Sequence, residues 1–417
     1  MSRIVLAFSG GLDTSFCAVW LAEQGHEVIT ACVDTGGFSD EELAAIAERA
    51  TSLGVSEHRT IDARADVYER FVSWLIRGNV LRGGVYPLSV GCERVAQAEA
   101  VARLAQELGA EGVAHGSTGA GNDQVRFDVA LAATAPELSV LAPIRELNLS
   151  REQEQDWLTE RGVPVEAATV AYSLNEGLFG TTIGGTETHD PWQVPPESAY
   201  TMTDSPTATT AAPEELVLGF EQGLPVSLDG ARMSGTALVA ALNERARPHG
   251  VGRGLHLGDT ILGVKGRIAF EAPGPLMLIG AHRELAKLVQ TKWQAHWCEQ
   301  VGSFYGTLLH EGLFHDPVMR DLEALLASAN TTVTGQVRMR LHAGKHDVLG
   351  VRSPHSLMDA GVATYGEGAV LFSGEEAAGF ARIHGLQAVL AARRDDRLGI
   401  DPPAELSPPP ASTEHAS

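Results

Sequence analysis

Short apolar runs alternate with stretches of helical period over residues 3–143. Val5, Leu6, Ala7 and Phe8 form a continuous apolar run that predicts a buried strand. The run stops at Ser9-Gly10-Gly11, which reads as a tight turn. Asp13 and Thr14 suit a helix N-terminus, and Phe16, Val19, Trp20 and Leu21 then repeat at helical spacing. The theme recurs downstream. Residues 27–33 predict a second strand ending at Asp34, and residues 39–54 a helix opened by Ser39 with Glu42 at the capping-box position. A third strand is predicted at 59–63, helices at 66–77 and 93–108, and strands at 111–115 and 140–143. Residues 78–91 form a glycine-rich connection carrying Tyr86-Pro87. Strands alternating with helices predict an α/β fold with a doubly wound, mostly parallel sheet. Ligands of such sheets sit beyond the carboxyl ends of the strands, so the turns after Phe8, Val33 and His115 should converge in space.

The pattern changes after about residue 168. Residues 172–192 are rich in glycine and hydroxyls, too irregular for a long element, and 195–213 read as a Pro/Ser/Thr-rich loop. Strand-like pieces follow at 215–220, 225–228, 261–264, 277–279 and 333–341. Helices are predicted at 235–245, 282–304 and 316–328, giving a second, α+β domain. Residues 375–394 read as one helix with Phe380, Ile383, Leu386, Val389 and Leu390 on an apolar stripe, and 398–417 as a disordered tail.

Composition narrows the function classes. The 417 residues carry a formal net charge of −22. That balance argues against nucleic acid as the main partner, because binding a phosphate backbone needs a basic footprint. Cys17, Cys32, Cys92 and Cys298 are scattered without a C-x-x-C, which suggests neither a disulfide framework nor a zinc site. The chain starts directly into a strand, and no stretch approaches the ~20 apolar residues of a membrane helix. A cytoplasmic protein is expected.

Two motifs carry candidate chemistry. A strand running into Ser9-Gly10-Gly11 and then a helix is an anion site: the first helical N–H groups lack partners, and the glycines let a phosphate approach the backbone. Ser9, Thr14 and Ser15 add hydroxyl donors. No Gly-Lys-Ser/Thr follows, so it is not a Walker A loop, and it does not fit Gly-x-Gly-x-x-Gly. Asp34 is either a solvated loop residue or a neighbour of the nucleoside. The second motif is HGSTGAGNDQVRFD, residues 115–128. Asn122-Asp123 could simply cap a helix from Gln124, but capping would not require Arg126. A carboxylate, an amide and a guanidinium together suit a zwitterionic amino acid: Arg126 can hold a carboxylate bidentately and Asp123 can pair an ammonium.

SGGLDTS resembles the pyrophosphate loop of N-type ATP pyrophosphatases, which cleave ATP to AMP and pyrophosphate while adenylylating a carbonyl oxygen. AFSGGLDTS together with HGSTGAGNDQVRFD is similar to the argininosuccinate synthase family. Weaker similarity runs from residue 3 to about 395, through GVGR at Gly250, the Lys265-Gly-Arg267 segment and His189-Asp190-Pro191-Trp192. The resemblance implies an adenine nucleotide alpha hydrolase-like domain over 1–168, a synthetase and multimerisation domain over 169–374, and an oligomerisation helix over 375–397 in a homotetramer. It implies a ligase of arginine biosynthesis. ATP activates the ureido oxygen of L-citrulline, and the amine of L-aspartate displaces AMP to give argininosuccinate.

By motif match, Ala7, Phe8, Ser9, Gly10, Gly11, Leu12, Asp13, Thr14, Ser15, Val33 and Gly116 would bind ATP, with Mg²⁺ accompanying the nucleotide and no metal ligand set assigned on the protein. Thr118, Asn122 and Asp123 would bind aspartate. Tyr86, Asn122, Arg126, Ser173 and Thr182 would bind citrulline, a serine being usual at the Thr182 position. Asp13, Asp123 and Arg126 are the catalytic candidates. The glycine turn, helix N-terminus and Mg²⁺ can stabilise the leaving pyrophosphate. Asp123 or the departing phosphate is the candidate acceptor for the aspartate amine's proton.

Three positions depart from the family pattern. Gly91 stands where a citrulline-binding serine is expected, Gly258 where a glutamate is expected, and Phe270 where a tyrosine is expected. Either Asp259 or Glu271 compensates in a true synthase, or a paralogue keeps ATP and aspartate but uses another ureido, amide or carboxylate acceptor. Other users of the loop fit less well. A tRNA thiolase would want reactive cysteines and a basic surface, and an ammonia-using amidotransferase would want a glutaminase. A non-catalytic nucleotide-binding protein would not need the Asn122-Asp123-Arg126 cluster.

Overall fold

A computed structural model describes residues 2–165, 172–366 and 368–400. The expected change of character at 168 and the tail beyond 400 lie outside those residues. By internal contacts the chain divides into two units, Met1–Leu357 and Met358–Ser417.

The first unit opens with five parallel strands: β1 (Arg3–Ala7), β2 (Glu27–Asp34), β3 (Glu57–Asp62), β4 (Gly112–Ala114) and β5 (Ser139–Leu141). Their order is β3-β2-β1-β4-β5. The chain winds outward from β1 in one direction and resumes at β4 on its other side. The turns after β1 and β4 therefore part around a crevice at this switch point. Alternation along β1 explains why both faces are covered. Ile4 and Leu6 pack with Phe16, Leu21 and Ile46 on one face. Val5 packs with Ile29, Phe71 and Val101 on the other. Ser39 caps the helix Asp40–Ser52 in the capping box its spacing predicts. The stretch predicted helical over 66–77 is helical, with a π-helical segment at Tyr68–Val72.

The rest of the first unit builds two antiparallel sheets. One, in the order β10-β9-β8-β13-β14, comprises β8 (Glu214–Glu221), β9 (Leu224–Leu228), β10 (Ala231–Arg232), β13 (Gly335–His342) and β14 (Lys345–Arg352). The other, β11-β12-β7-β6, comprises β6 (Tyr172–Gly177), β7 (Gly180–Gly185), β11 (Arg253–Asp259) and β12 (Lys265–Glu271).

Several expectations need correction. Residues 172–185, read as irregular, form a tight hairpin turning at Leu178-Phe179. Their polar residues face a cleft rather than a core, so hydrophobic alternation is absent. Residues 261–264, read as a strand, are the turn between β11 and β12, where Thr260 N–H donates to the Val264 carbonyl. Met277–Ile279 lies inside the buried helix Pro273–Val289; a short apolar run does not distinguish a strand from a fully buried helix. The single helix read over 282–304 is two, Pro273–Val289 and Lys292–His310, broken where Thr291 caps the second. In the second unit, the helix read over 375–394 is likewise two, Gly374–His384 and Leu386–Leu398, parted at Gly385.

His282 shows how tightly the first unit is sealed. Its ring is fully buried, with Nε2 2.7 Å from Asn330 Oδ1 and Nδ1 2.7 Å from the Asn79 carboxamide. The Asn330 amide nitrogen donates to the carbonyls of Arg77 and Leu326, so its oxygen receives Nε2–H. Burial, against the Asn330 bond, pushes its pKa down to about 4, with Arg77 and Arg283 assisting. The unfolded chain takes up this proton near pH 6.5 and the folded chain only near 4, so stability is lost as pH falls through that window. The loss from this residue should approach ~3 kcal/mol by pH 4. Urea unfolding at pH 7.5 and pH 5 should show a smaller acid penalty for His282→Gln than for the native chain.

Candidate functional site

A single cleft of ≈ 1030 Å³ opens over the carboxyl ends of β1, β2 and β4. Pockets for small ligands span about 300–1,000 Å³, so this one stands at the top of that range.

Its floor is the turn after β1. Gly10 adopts φ +77°, a conformation glycine takes without strain. Gly11 is the extended N-cap of the helix Leu12–Glu23, and no side chain caps that helix. Its first N–H groups are left facing the cleft, the arrangement that receives an anion. Ser9 and Thr14 are joined across the turn, Oγ to Oγ1, at 3.3 Å. Ala7, Phe8, Ser9, Gly11, Leu12, Asp13, Thr14, Val33 and Gly116 all line the cleft. Gly10 and Ser15 do not. Ser15 is buried, its hydroxyl donating to the Gly10 carbonyl and accepting from Arg49 Nε. Asp34 is buried too: it accepts from Gly36 N–H at 2.8 Å and meets Arg64 at 3.4 Å, which locks the loop after β2.

The second wall follows β4. His115 bonds Asp128 through Nε2 at 3.0 Å and receives Ser117 N–H on Nδ1, fixing the turn. A Cβ on Gly116 would stand 3.2 Å from the Asp13 backbone, so glycine here sets how closely the two loops approach. Thr118, Asn122, Asp123 and Arg126 line the same cleft. Asn122 does not cap the helix Asp123–Thr134 with its side chain. Its Oδ1 instead accepts from Ile261 N–H at 2.8 Å, tying this wall to the β11–β12 turn.

Asp123 holds the strongest electrostatic arrangement in the site. Arg94 Nε donates to it at 2.8 Å and Arg126 Nη1 at 2.9 Å. Burial alone would raise its pKa, but the two guanidiniums overrule that and hold it at about 2. Arg94 also reaches Asn175 on β6 at 2.5 Å. Arg126 donates to the His310 carbonyl and, from Nη2, to His310 Nδ1 at 3.1 Å. Three of its five N–H groups are thereby taken, which leaves two for a substrate. Burial, Arg126 and Arg82 together push His310 down to about 3. Beneath Arg94, Glu93 is fully buried with Thr35 donating to it, and burial raises it to about 8.

Tyr86, Ser173 and Thr182 line the far end of the cleft. Tyr86 lies on His256, ring centroids 5.6 Å apart, and against Phe270 at 5.2 Å. Phe270 is core behind Tyr86 and pairs across strands with Thr182. Gly91 faces Arg126, where a Cβ would make an ordinary 3.7 Å contact. Glu271 cannot supply the carboxylate missing at Gly258. It is buried and accepts from the N–H groups of Thr201, Met202 and Thr203 and from the Thr203 hydroxyl. Asp259 lines the cleft, and its carboxylate is paired with Lys265 at 2.6 Å.

Arg82, Arg94, Asn175, His256 and His310 are cleft residues that sequence reasoning did not single out. None lies in the two motifs, although Arg82, Arg94, Asn175 and His256 stand within four residues of Tyr86, Gly91, Ser173 and Gly258; only His310 comes from a segment in which no residue was singled out.

Known proteins resemble this chain over nearly its whole length. The Arginosuccinate synthase N-terminal HUP domain matches residues 3–164, and the Arginosuccinate synthase C-terminal domain matches residues 172–391. Argininosuccinate synthase of Methanocaldococcus jannaschii is 40% identical over 400 residues, 95% of this chain and 100% of that protein. The Xylella fastidiosa enzyme is 42% identical over 394 residues, 94% and 97% of the two chains. That of Pyrococcus furiosus is 40% identical over 390 residues, 93% and 94%.

Removing Asp123 would leave Arg94 and Arg126 facing each other with no counter-charge. For a fully enclosed pair the cost is about 3–5 kcal/mol. The Asp123 side chain keeps 33% of its surface open, so ~2–3 kcal/mol is expected for Asp123→Ala after allowing for solvent screening. Equilibrium urea denaturation checks this, and a change within 0.5 kcal/mol, roughly the scatter of surface substitutions, would refute the ion network as described.

Proposed function

The chain belongs to the argininosuccinate synthase family, and from that premise we propose that the cleft joins L-aspartate to L-citrulline through an adenylylated intermediate. The observation that carries this reading is convergence. An uncapped helix N-terminus at Gly11 and the Asn122-Asp123-Arg126 cluster open into one space.

In the first step the ureido oxygen of citrulline attacks the α-phosphorus of ATP. The α–β bond breaks and pyrophosphate leaves. The N–H groups after Gly11 and the Ser9 and Thr14 hydroxyls stabilise the charge gathering on it. Mg²⁺ bound to the phosphates would add positive charge there. Among the described residues no group of three or more histidines, cysteines and carboxylates could hold a metal by itself. Asp13, which lines this mouth, is the nearest protein carboxylate on the loop.

In the second step the aspartate nitrogen attacks the ureido carbon, AMP departs with the oxygen, and the nitrogen loses its proton. Thr118, Asn122 and Asp123 hold aspartate. With its pKa near 2, Asp123 is a fixed anion suited to pairing an ammonium rather than to taking up a proton. The departing phosphate is then the better proton acceptor. Arg126 presents its two remaining N–H groups to a substrate carboxylate. Holding both reactants in place can supply several kcal/mol of the barrier.

On this reading residues 1–168 carry the nucleotide chemistry and 169–374 complete the acceptor side. We also propose a homotetramer, since Phe380, Ile383, Leu386, Val389 and Leu390 are all exposed along the two terminal helices. A cytoplasmic setting fits four free cysteines. No helix among the described residues is long and apolar enough to cross a membrane.

With ATP, Mg²⁺, aspartate and citrulline present, the protein should release AMP and pyrophosphate in equal amounts. No release with the full mixture would end the ligase reading. Gly10→Ala forces a side chain into φ +77°, a cost of about 1–2 kcal/mol, and should raise the KM for ATP roughly tenfold if that strain is relieved by distorting the turn.

A further inference from the structure

At the acceptor end of the cleft, β11 places residues 256 and 258 on the same face, because strand side chains alternate. Both line the cleft. The His256 ring covers Gly258 so closely that a Cβ there would stand 2.7 Å from Nε2. On its other side a Cβ on Gly83, itself at φ +60°, would stand 3.0 Å from Cε1. Tyr86 stacks on the ring with 23° between planes. The imidazole is thus clamped between an aromatic face and two glycines, and it occupies the space a 258 side chain would need.

Two guanidiniums stand close to it. Arg82 and Arg126 both line this end, and His310 stands beside Arg126. Burial and Arg82 lower the pKa of His256, which keeps the ring neutral. Three nearby carboxylates are engaged: Glu271 by backbone N–H groups, Asp259 by Lys265, and Asp123 by Arg94 and Arg126. Glu311 acts on Arg82 but does not line the cleft, and Glu176, which does, accepts from the Thr201 hydroxyl. An acceptor carboxylate meets guanidinium and imidazole donors here. An acceptor ammonium finds the two carboxylates that line this end, Asp123 and Asp259, already paired with cations, and leaving a charge without its partner is unfavourable.

We infer that His256, seated over Gly258, determines acceptor specificity, and that the site takes ureido carboxylic acids without an ammonium at least as well as it takes citrulline. This rests on the ligase reading and deepens it at one substrate.

Pyrophosphate release should be measured with ATP, aspartate and either L-citrulline or 5-ureidopentanoate, its counterpart lacking the ammonium. The native enzyme should give a kcat/KM for 5-ureidopentanoate equal to or above that for citrulline. His256→Ala should lower the 5-ureidopentanoate value at least tenfold through KM, with the KM for ATP unchanged within twofold. The double change His256→Ala/Gly258→Glu should invert the preference towards citrulline. A native preference for citrulline overturns the inference while leaving the ligase reading intact, and so does a His256→Ala enzyme with unaltered KM for 5-ureidopentanoate. Release with neither acceptor ends both. Calorimetric binding of the two acceptors to the native protein with ATP gives the same ranking even if the double variant does not fold.

Discussion

One carboxylate ties the working parts of this protein together. Asp123 stands at the start of a helix following β4, and its two oxygens are held by Arg94 and Arg126. Arg94 belongs to the helix Gly91–Glu107 and continues to Asn175 on β6. Arg126 continues to the end of the helix Lys292–His310. The parallel sheet, the β6–β7 hairpin and a distant helix thus meet at one anion. Enclosed ion pairs contribute little net stability, because desolvation offsets most of the attraction. What they do contribute is position: the guanidinium planes are fixed, so the N–H groups left over point in set directions.

Local charge, not total charge, governs the cleft. The chain carries a net −22, yet the cleft lining is balanced, with Arg82, Arg94, Arg126, Arg151 and Arg267 set against Asp13, Glu42, Asp123, Glu176 and Asp259. Burial is the largest influence on the ionisable groups beside them, reinforced by guanidiniums at the histidines and opposed by Arg94 at Glu93. His310 and His256 stay neutral beside guanidiniums, and Glu93, beneath Arg94, is held in its protonated form around neutral pH.

The nucleotide end was legible in the sequence because its determinants are contiguous. Residues 5–15 contain the strand, the glycine turn and the helix start, and these local preferences agree with one another. The capping box at Ser39 was visible for the same reason. The acceptor end was legible only in outline. Tyr86, Arg126, Ser173 and Thr182 could be named through resemblance, but His256, His310 and Arg82 approach through tertiary packing that no local spacing encodes. The buried helix over Pro273–Val289 was misread because apolar runs specify burial before they specify period, and the break at Gly385 was missed because the apolar stripe keeps helical spacing across it. Asp34 and Ser15 show the converse. They sit at the ends of the right elements, yet their polar atoms are taken up by Gly36 and Arg64 in one case and by Gly10 and Arg49 in the other.

This division has a consequence for how such a site can change. The nucleotide loop is a single strand–turn–helix unit whose geometry depends on glycine at φ +77° and on an uncapped helix. The acceptor wall is assembled from the Tyr86 loop, β11 and the end of the helix Lys292–His310, and it is tied to the segment after β4 through the Asp123 network and the Asn122–Ile261 hydrogen bond. A side chain at 258 and the imidazole of His256 in its present place exclude each other, since the ring already lies within 2.7 Å of where that Cβ would be. The two positions therefore act as one switch. A side chain at 258 makes the imidazole leave its present place, and glycine at 258 lets it stack on Tyr86 where it is. Because the switch lies on a strand whose hydrogen bonds to β12 do not depend on side chains, the charge presented to the acceptor can reverse without disturbing the fold or the nucleotide loop.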